Sequence, residues 1–383
     1  VGSENGKIYA YSLKELNLLW TYTITDGPGA SAGSSEGISI RGLAIGANNV
    51  IYATVSNSTN KWGALYSLSS SGTKNWRYLI ESTASKYQIE TMPTVDCTGA
   101  NKKIYFGDDE GYIYSITDIG NNYLLNWRLD LIAQICTTCA IDTNGIIYVV
   151  QSVPAPSTLY AINPDGTVRW KYNMTLAEAG LSFSSPAIDT ENNVYVFTGS
   201  DNKNDANHFH IFKVADVNGN AVLKKHTRLG DYPFVDISSS LINSSSNIYY
   251  YPKDFITSPI IDNDGSIFFT HGYVLTKLNR DLTTTDWSFN VFDISNTFYN
   301  GSSVDNSTFY FVKEPMISLD GYAYVTCANK LLRFNADNGV IDTSYQLIEN
   351  GKTRCSPVML NSRGQWGMFG FDCTRRGKRY PIF

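Results

Sequence analysis

Charge is scarce in this chain: Asp, Glu, Lys and Arg together make up 17% of its 383 residues, and the net charge is −5. Nucleic-acid binding rests on neutralising phosphates, so a mildly acidic chain without a basic face excludes that class of partner. Long apolar runs are missing too. None approaches the ~18 to 20 residues of a membrane-spanning helix, and no membrane span is expected. Histidine is rare, limited to His208, His210, His226 and His271. His208 and His210 would share one strand face, which suits two metal ligands, yet no third ligand stands near them and Phe209 and Phe212 read as ordinary strand residues. The oxygen-rich stretch 201–205 lacks the spacing of a dedicated calcium loop. A Gly-x-Ser-x-Gly elbow does not occur. No catalytic, cofactor-binding or metal-binding residue is assigned, and no cofactor is expected.

Tyrosine, by contrast, is abundant at 26 residues, and it falls within a pattern that recurs along the whole chain. The clearest copy begins Cys139-Ala140-Ile141-Asp142, turns at Asn144-Gly145, and continues Ile146-Ile147-Tyr148-Val149-Val150. It then runs Leu159-Tyr160-Ala161-Ile162, turns at Asp165-Gly166, and reaches Trp170. Similar copies place Trp76, Trp127 and Trp287 at the end, with Leu223 and Thr343 in that place in the fifth and seventh. Asp-Gly and Asn-Gly pairs such as Asp264-Gly265 and Asn338-Gly339 favour tight hairpins, because Gly and Asn tolerate positive φ.

Runs such as Ile146 to Val150 carry apolar residues on both faces of a strand, which implies burial between two neighbouring sheets. Antiparallel four-stranded sheets stacked face to face around an axis meet that demand, so the expected fold is all-β, a β-propeller. Residues 1–383 are expected to form one such domain. The N-terminus supplies half a copy, from Gly6-Lys7-Ile8-Tyr9 to Trp20, and the C-terminus the complementary half, from Ser356-Pro357-Val358 to Phe371. Pairing these half-blades closes the ring and hides edges that would otherwise invite aggregation. Seven blades fit best; the stretch 231–254 is long enough to hold the strands of an eighth.

The repeat apolar-Asp-x-x-Gly-x-Ile/Val-Tyr, then Gly-x-Ile/Leu-Tyr-Ala-Ile/Leu, then Gly-x-x-x-Trp resembles the pyrroloquinoline-quinone-like repeat of the quinoprotein dehydrogenase-like propellers. That resemblance implies the scaffold. The dehydrogenases of the family hold their quinone under a ring of two adjacent cysteines, with Glu, Asn and Asp around calcium, and no two cysteines here are adjacent. A non-enzymatic member is therefore expected, with Trp127 and Trp170 docking neighbouring blades rather than stacking on a cofactor.

Low charge with many hydroxyl and amide side chains suits a secreted or cell-surface protein, and Val1 in place of Met implies that any leader has been removed or left out. Cys97, Cys136, Cys139, Cys327, Cys355 and Cys373 are an even set compatible with disulfides in an oxidising compartment, in pairings the spacing leaves open. Cys355 and Cys373, on adjacent parts of the terminal half-copy, are the pair expected to secure closure. The Cys136-x-x-Cys139 spacing reads as structural, with no second such pair or nearby His to make a zinc or redox centre. Sequons make Asn57, Asn173, Asn243, Asn300 and Asn306 candidate glycosylation sites, though a chain this rich in Asn, Ser and Thr also produces such triplets by chance. The dense cationic cluster from Arg375 to Arg379 reads as a solvated tail, with binding to acidic glycans or to a negative patch on a partner, or a processing signal, as the alternatives.

The expected function is a non-catalytic extracellular scaffold that binds protein or glycan, or self-associates as a repeated subunit of a surface assembly or filament. A quinone-dependent oxidoreductase and a carbohydrate-binding or carbohydrate-active propeller are the alternatives.

Overall fold

The computed structural model describes residues 2–3, 5–11, 18–28, 37–57, 59–80, 89–96, 102–152, 156–175, 182, 184–199, 209–229, 258–262, 264–271, 274–290, 315–317, 321–327 and 330–346. Among these residues there is no α-helix, only strands and a single 3-10 turn at Ala47–Asn49. Sheet one is a pair of strands, Lys7–Tyr11 and Leu18–Thr23. Six antiparallel four-stranded sheets follow at 38–80, 94–130, 140–173, 187–229, 260–290 and 316–346, numbered two to seven in chain order. In each of these six the spatial order of strands is the chain order. The half-copy 356–371, expected to complete sheet one, lies outside the described residues.

Sheet four shows why the sequence builds this unit. Its strands are Ala140–Ile141, Ile147–Gln151, Thr158–Ile162 and Val168–Asn173. The second is buried at every residue, as its run of apolar side chains on both faces requires, while the fourth alternates toward solvent. Asp142 shapes the first turn: its carboxylate accepts from the Asn144 and Ile146 amides at 2.8 and 2.9 Å and from the Tyr148 hydroxyl at 3.1 Å. Asp189 does the same for Tyr195, and Asp108 for Tyr114 in a second-to-third turn. The recurring Asp-x-x-Gly-x-x-Tyr spacing is thus a turn whose carboxylate also satisfies a buried phenol.

The apolar interior is divided into slabs. Each of six clusters of buried residues joins two successive sheets, for example Tyr148 and Trp170 of sheet four with Val196 and Phe212 of sheet five. The remaining slabs lie between sheets one and two, two and three, three and four, five and six, and six and seven. First strands lie against one another between sheets two and three, four and five, and five and six. Sheets wedged side by side with their first strands innermost make a β-propeller, in which burial comes from neighbouring blades rather than one central core.

Tryptophan clasps these junctions. A register shift occurs in every sheet between the last two strands, one residue before the tryptophan place: Ile162 faces Val168, whereas Ala161 faces Trp170. Such a bulge raises local twist and re-aims the next side chain. Each indole at that place then donates to the hairpin between the last two strands of the following sheet. The acceptors are the Ser70 carbonyl for Trp20, Asp118 Oδ1 for Trp76, the Pro164 carbonyl for Trp127, Asp216 Oδ2 for Trp170 and the Ala336 carbonyl for Trp287, at 2.9 to 3.1 Å. The docking role expected for Trp127 and Trp170 is what the structure displays.

Sheet five corrects one alignment. Val214 faces Leu223 and Lys213 faces Lys225, so the tryptophan place belongs to Lys225, and Leu223 corresponds to Val168. With no indole to mark the register, the bulged residue Lys224 cannot be told from sequence.

Candidate functional site

Connections in an antiparallel four-stranded sheet alternate between its two ends. First-to-second and third-to-fourth turns therefore share one face of the propeller, and second-to-third turns share the other with the crossings between sheets. The first face is built of tight turns, among them 142–146, 189–193 and 262–266. These turns also brace one another: Thr143 and Asn192 exchange hydrogen bonds between sheets four and five, and Arg280 of sheet six pairs with Glu191 of sheet five. All the long connections, 24–37, 81–93, 174–186, 230–259 and 291–315, leave from the second face. Binding residues concentrate on such loops when a rigid scaffold carries them.

The scaffold under that loop face is a girdle of hydroxyls just ahead of the first strands. The Met92 amide donates to Thr138 Oγ1 at 3.2 Å, the Thr138 amide to Ser185 Oγ at 3.0 Å, and the Ser185 amide to Ser258 Oγ at 3.0 Å. Every link passes from one sheet to the next. The residue before each link ties it to its own sheet: Thr91 Oγ1 bridges the Gly107 amide and carbonyl, and Thr137 Oγ1 those of Val150. These hydroxyls are buried and spent on backbone partners, which suits them for holding blades together rather than for nucleophilic attack. Sequence reasoning missed the girdle, though Thr137-Thr138 and Ser184-Ser185 at equivalent places of adjacent copies were a visible signal.

Titratable groups tell the same story. The Tyr148, Tyr195 and Tyr114 phenols are pushed up by burial first and then by the carboxylate each one meets, so they remain neutral donors. Burial also pushes up the Asp108 carboxyl, against the backbone amides and the Tyr114 hydroxyl that favour its charge. His210, fully buried, meets His226 across 2.8 Å with the rings stacked, and burial lowers the His226 pKa. His208 lies outside the described residues. Among those residues no three His, Cys, Asp or Glu side chains gather as a metal set would, and no helix is long and apolar enough to cross a membrane.

The remaining expected sites are scattered. Cys139 is buried between sheets three and four, with Cys136 half-buried in the connection before it, and Cys327 ends the second strand of sheet seven. Asn57 is 1% exposed, and its Oδ1 accepts from the Asn60 amide. Asn173 is exposed at the end of the outer strand of sheet four, its Oδ1 accepting from Thr158 Oγ1. Cys97, Cys355, Cys373, Asn243, Asn300, Asn306 and the 375–379 cluster lie outside the described residues.

No protein-family model matches the chain, and no curated protein sequence does. Solved structures similar to it include Saccharomyces cerevisiae Sqt1, with a TM-score of 0.59 and 10% identity over 96% of this chain and 87% of that one. A chain of the mitotic checkpoint complex has a TM-score of 0.51 and 8% identity over 82% and 79% of the two chains. Kuenenia stuttgartiensis hydrazine synthase has a TM-score of 0.51 and 10% identity over 78% and 77%. At such identities the likeness shows the β-propeller fold and nothing of activity.

Proposed function

We propose that this chain is a protein-binding scaffold whose loop face is the binding surface. The observation that carries this reading is the division of labour between the faces. Tight turns, braced across sheets four, five and six, stand on one, while every long connection leaves from the other, where a girdle links sheets three to six. A structural neighbour lying in an assembly, the mitotic checkpoint complex, supports protein binding as a use for this fold. The finer reading is a non-catalytic, extracellular propeller of pyrroloquinoline-quinone-like repeats, a single domain over 1–383. In this reading it has seven blades, closed by the terminal half-copies, and it takes part in a surface assembly with itself, another protein or glycan.

Cross-linking mass spectrometry on native material tests it. Cross-links from a partner to residues of the long connections are expected. Cross-links confined to the tight-turn face, or a chain with no partner in its native setting, would sink the proposal. Quinone absorbance in that material would favour the oxidoreductase alternative.

A further inference from the structure

Sheet five departs from its neighbours beside the carboxylate of its first turn. That turn carries Asp189 and Asn193, and the third strand sets Lys213 opposite Tyr195. The equivalent places hold Asp142, Ile146 and Ala161 in sheet four, and Asp262, Ser266 and Lys277 in sheet six. Of these three sheets, only the fifth gathers a primary amine and a carboxamide around one carboxylate.

The three groups are held together closely. Asp189 Oδ2 accepts from Asn193 Nδ2 at 2.8 Å and from the Tyr195 hydroxyl at 3.0 Å, and Lys213 Nζ lies 3.6 Å from the same oxygen. Asp189 Oδ1 accepts from the Glu191 and Asn193 amides at 2.9 and 2.8 Å, which fixes the carboxylate between the two side-chain nitrogens. Little solvent reaches them: Asn193 is 7% exposed, and the side chains of Lys213 and Asp189 are 16% and 10% exposed. The Tyr195 ring faces the amine at 5.1 Å. Glu191 Oε2 stands 3.5 Å from Asn193 Nδ2, while its Oε1 is engaged by Arg280 of sheet six.

An amine, an amide and a carboxylate so placed are the nucleophile, the acyl group and the proton relay of an acyl transfer. Holding them in one geometry removes much of the barrier that keeps free amines from exchanging with amides. We propose that Lys213 and Asn193 are a modification site, joined by an intramolecular isopeptide bond that forms with Asp189 as the proton relay. Asp189 takes a proton from the Lys213 ammonium, and the freed amine attacks Asn193 Cγ to form the Nζ–Cγ bond. The proton passes on to Nδ2 as the Cγ–Nδ2 bond breaks. One hydrogen stays on Nζ in the new amide, and ammonium leaves with the charge that Lys213 brought. No oxidant, reductant or further reactant enters. The bond ties the turn that sheet six grips through Arg280 to the third strand of sheet five, in a sheet with Lys225 at the tryptophan place.

Peptide mass spectrometry of the intact chain, unfolded in denaturant and then cut with trypsin, tests the proposal. The expected product is a branched peptide in which Lys213 is uncut and joined to Asn193, lighter than its two parts by one ammonia. Lys213→Arg, which keeps the cation, and Asp189→Ala, which keeps both reacting groups, should each abolish it. Cleavage after Lys213 throughout the unsubstituted chain would overturn the bond, and that reading needs no variant to fold. A branched peptide lighter by one water, joining Lys213 to Asp189, would overturn the assignment of Asn193. An undiminished yield in the Asp189→Ala chain would overturn the relay.

Discussion

The indole of Trp127 lies against Gly166 of the following sheet. A Cβ added at Gly166 would stand 2.7 Å from the ring, and the glycine holds φ at 91. The motif Gly-x-x-x-Trp is thus two halves of different contacts: the tryptophan reaches forward, and the glycine receives the indole of the sheet before. Gly72 under Trp20 and Gly339 under Trp287 repeat the relationship. Gly166→Ala should cost about 2 kcal/mol or more, from the left-handed backbone and the displaced ring together. Gly120, at φ 95 with open space around it, should lose only about 1 kcal/mol as Gly120→Ala. Urea denaturation followed by tryptophan fluorescence checks the pair, and equal losses would refute the clasp.

Between sheets five and six both halves of the clasp have changed. Lys225 stands at the tryptophan place, and the receiving turn carries Leu282 at φ 57, buried in the slab, its carbonyl accepting from Thr227 Oγ1 at 2.9 Å. Lys225→Trp alone should not stabilise the protein, since no glycine waits for the indole. Combined with Leu282→Gly it should show favourable coupling of about 1 kcal/mol in a double-mutant cycle. Strict additivity of the two changes would count against the forward-reaching clasp.

The His210–His226 pair predicts a loss of stability in mild acid. Burial lowers the folded-state pKa of His226, so as pH falls through about 6.5 the unfolded chain takes up the proton first. The stabilisation is complete above that pH and declines below it until the folded pKa is passed. Asp26 and Asp216 act in a lower window. For each, burial alone would raise the pKa. Hydrogen bonds from Lys74 and Tyr66 to Asp26, and from Arg169 and Trp170 to Asp216, outweigh it and lower both. Their contribution disappears as pH falls below about 4. Thermal melts at graded pH should therefore show two descents, and His226→Gln should flatten only the upper one.

Exposure separates the two sequons within the described residues. Asn173 presents its side chain at the surface of sheet four, while Asn57 is enclosed with its oxygen in use. Secreted from a glycosylating host, the chain should carry glycan at Asn173 and none at Asn57. Enzymatic deglycosylation in heavy-oxygen water followed by peptide mass spectrometry reads both positions, and glycan at Asn57 would refute the prediction.

Most of the fold was legible because its units are local. Asp142, Gly145 and Tyr148 form a turn within one short stretch, and the same spacing could be matched copy by copy. Sheet five was misaligned where Lys225 removed the marker that fixes the bulge. The site was far less legible. The hydroxyl of Ser185 matters because the amide of Thr138, forty-seven positions earlier, lies within reach of it. The approach of Lys213 to Asp189 likewise depends on how the second and third strands of sheet five register, which no spacing within a copy encodes.

Because the indoles at the ends of sheets one, two, three, four and six each grip the sheet ahead, the described sheets form a procession of one-way couplings. Under load it should part first between sheets five and six, where neither indole nor glycine takes up the strain. A protease let in there would cut a protein whose remaining sheets still hold hands.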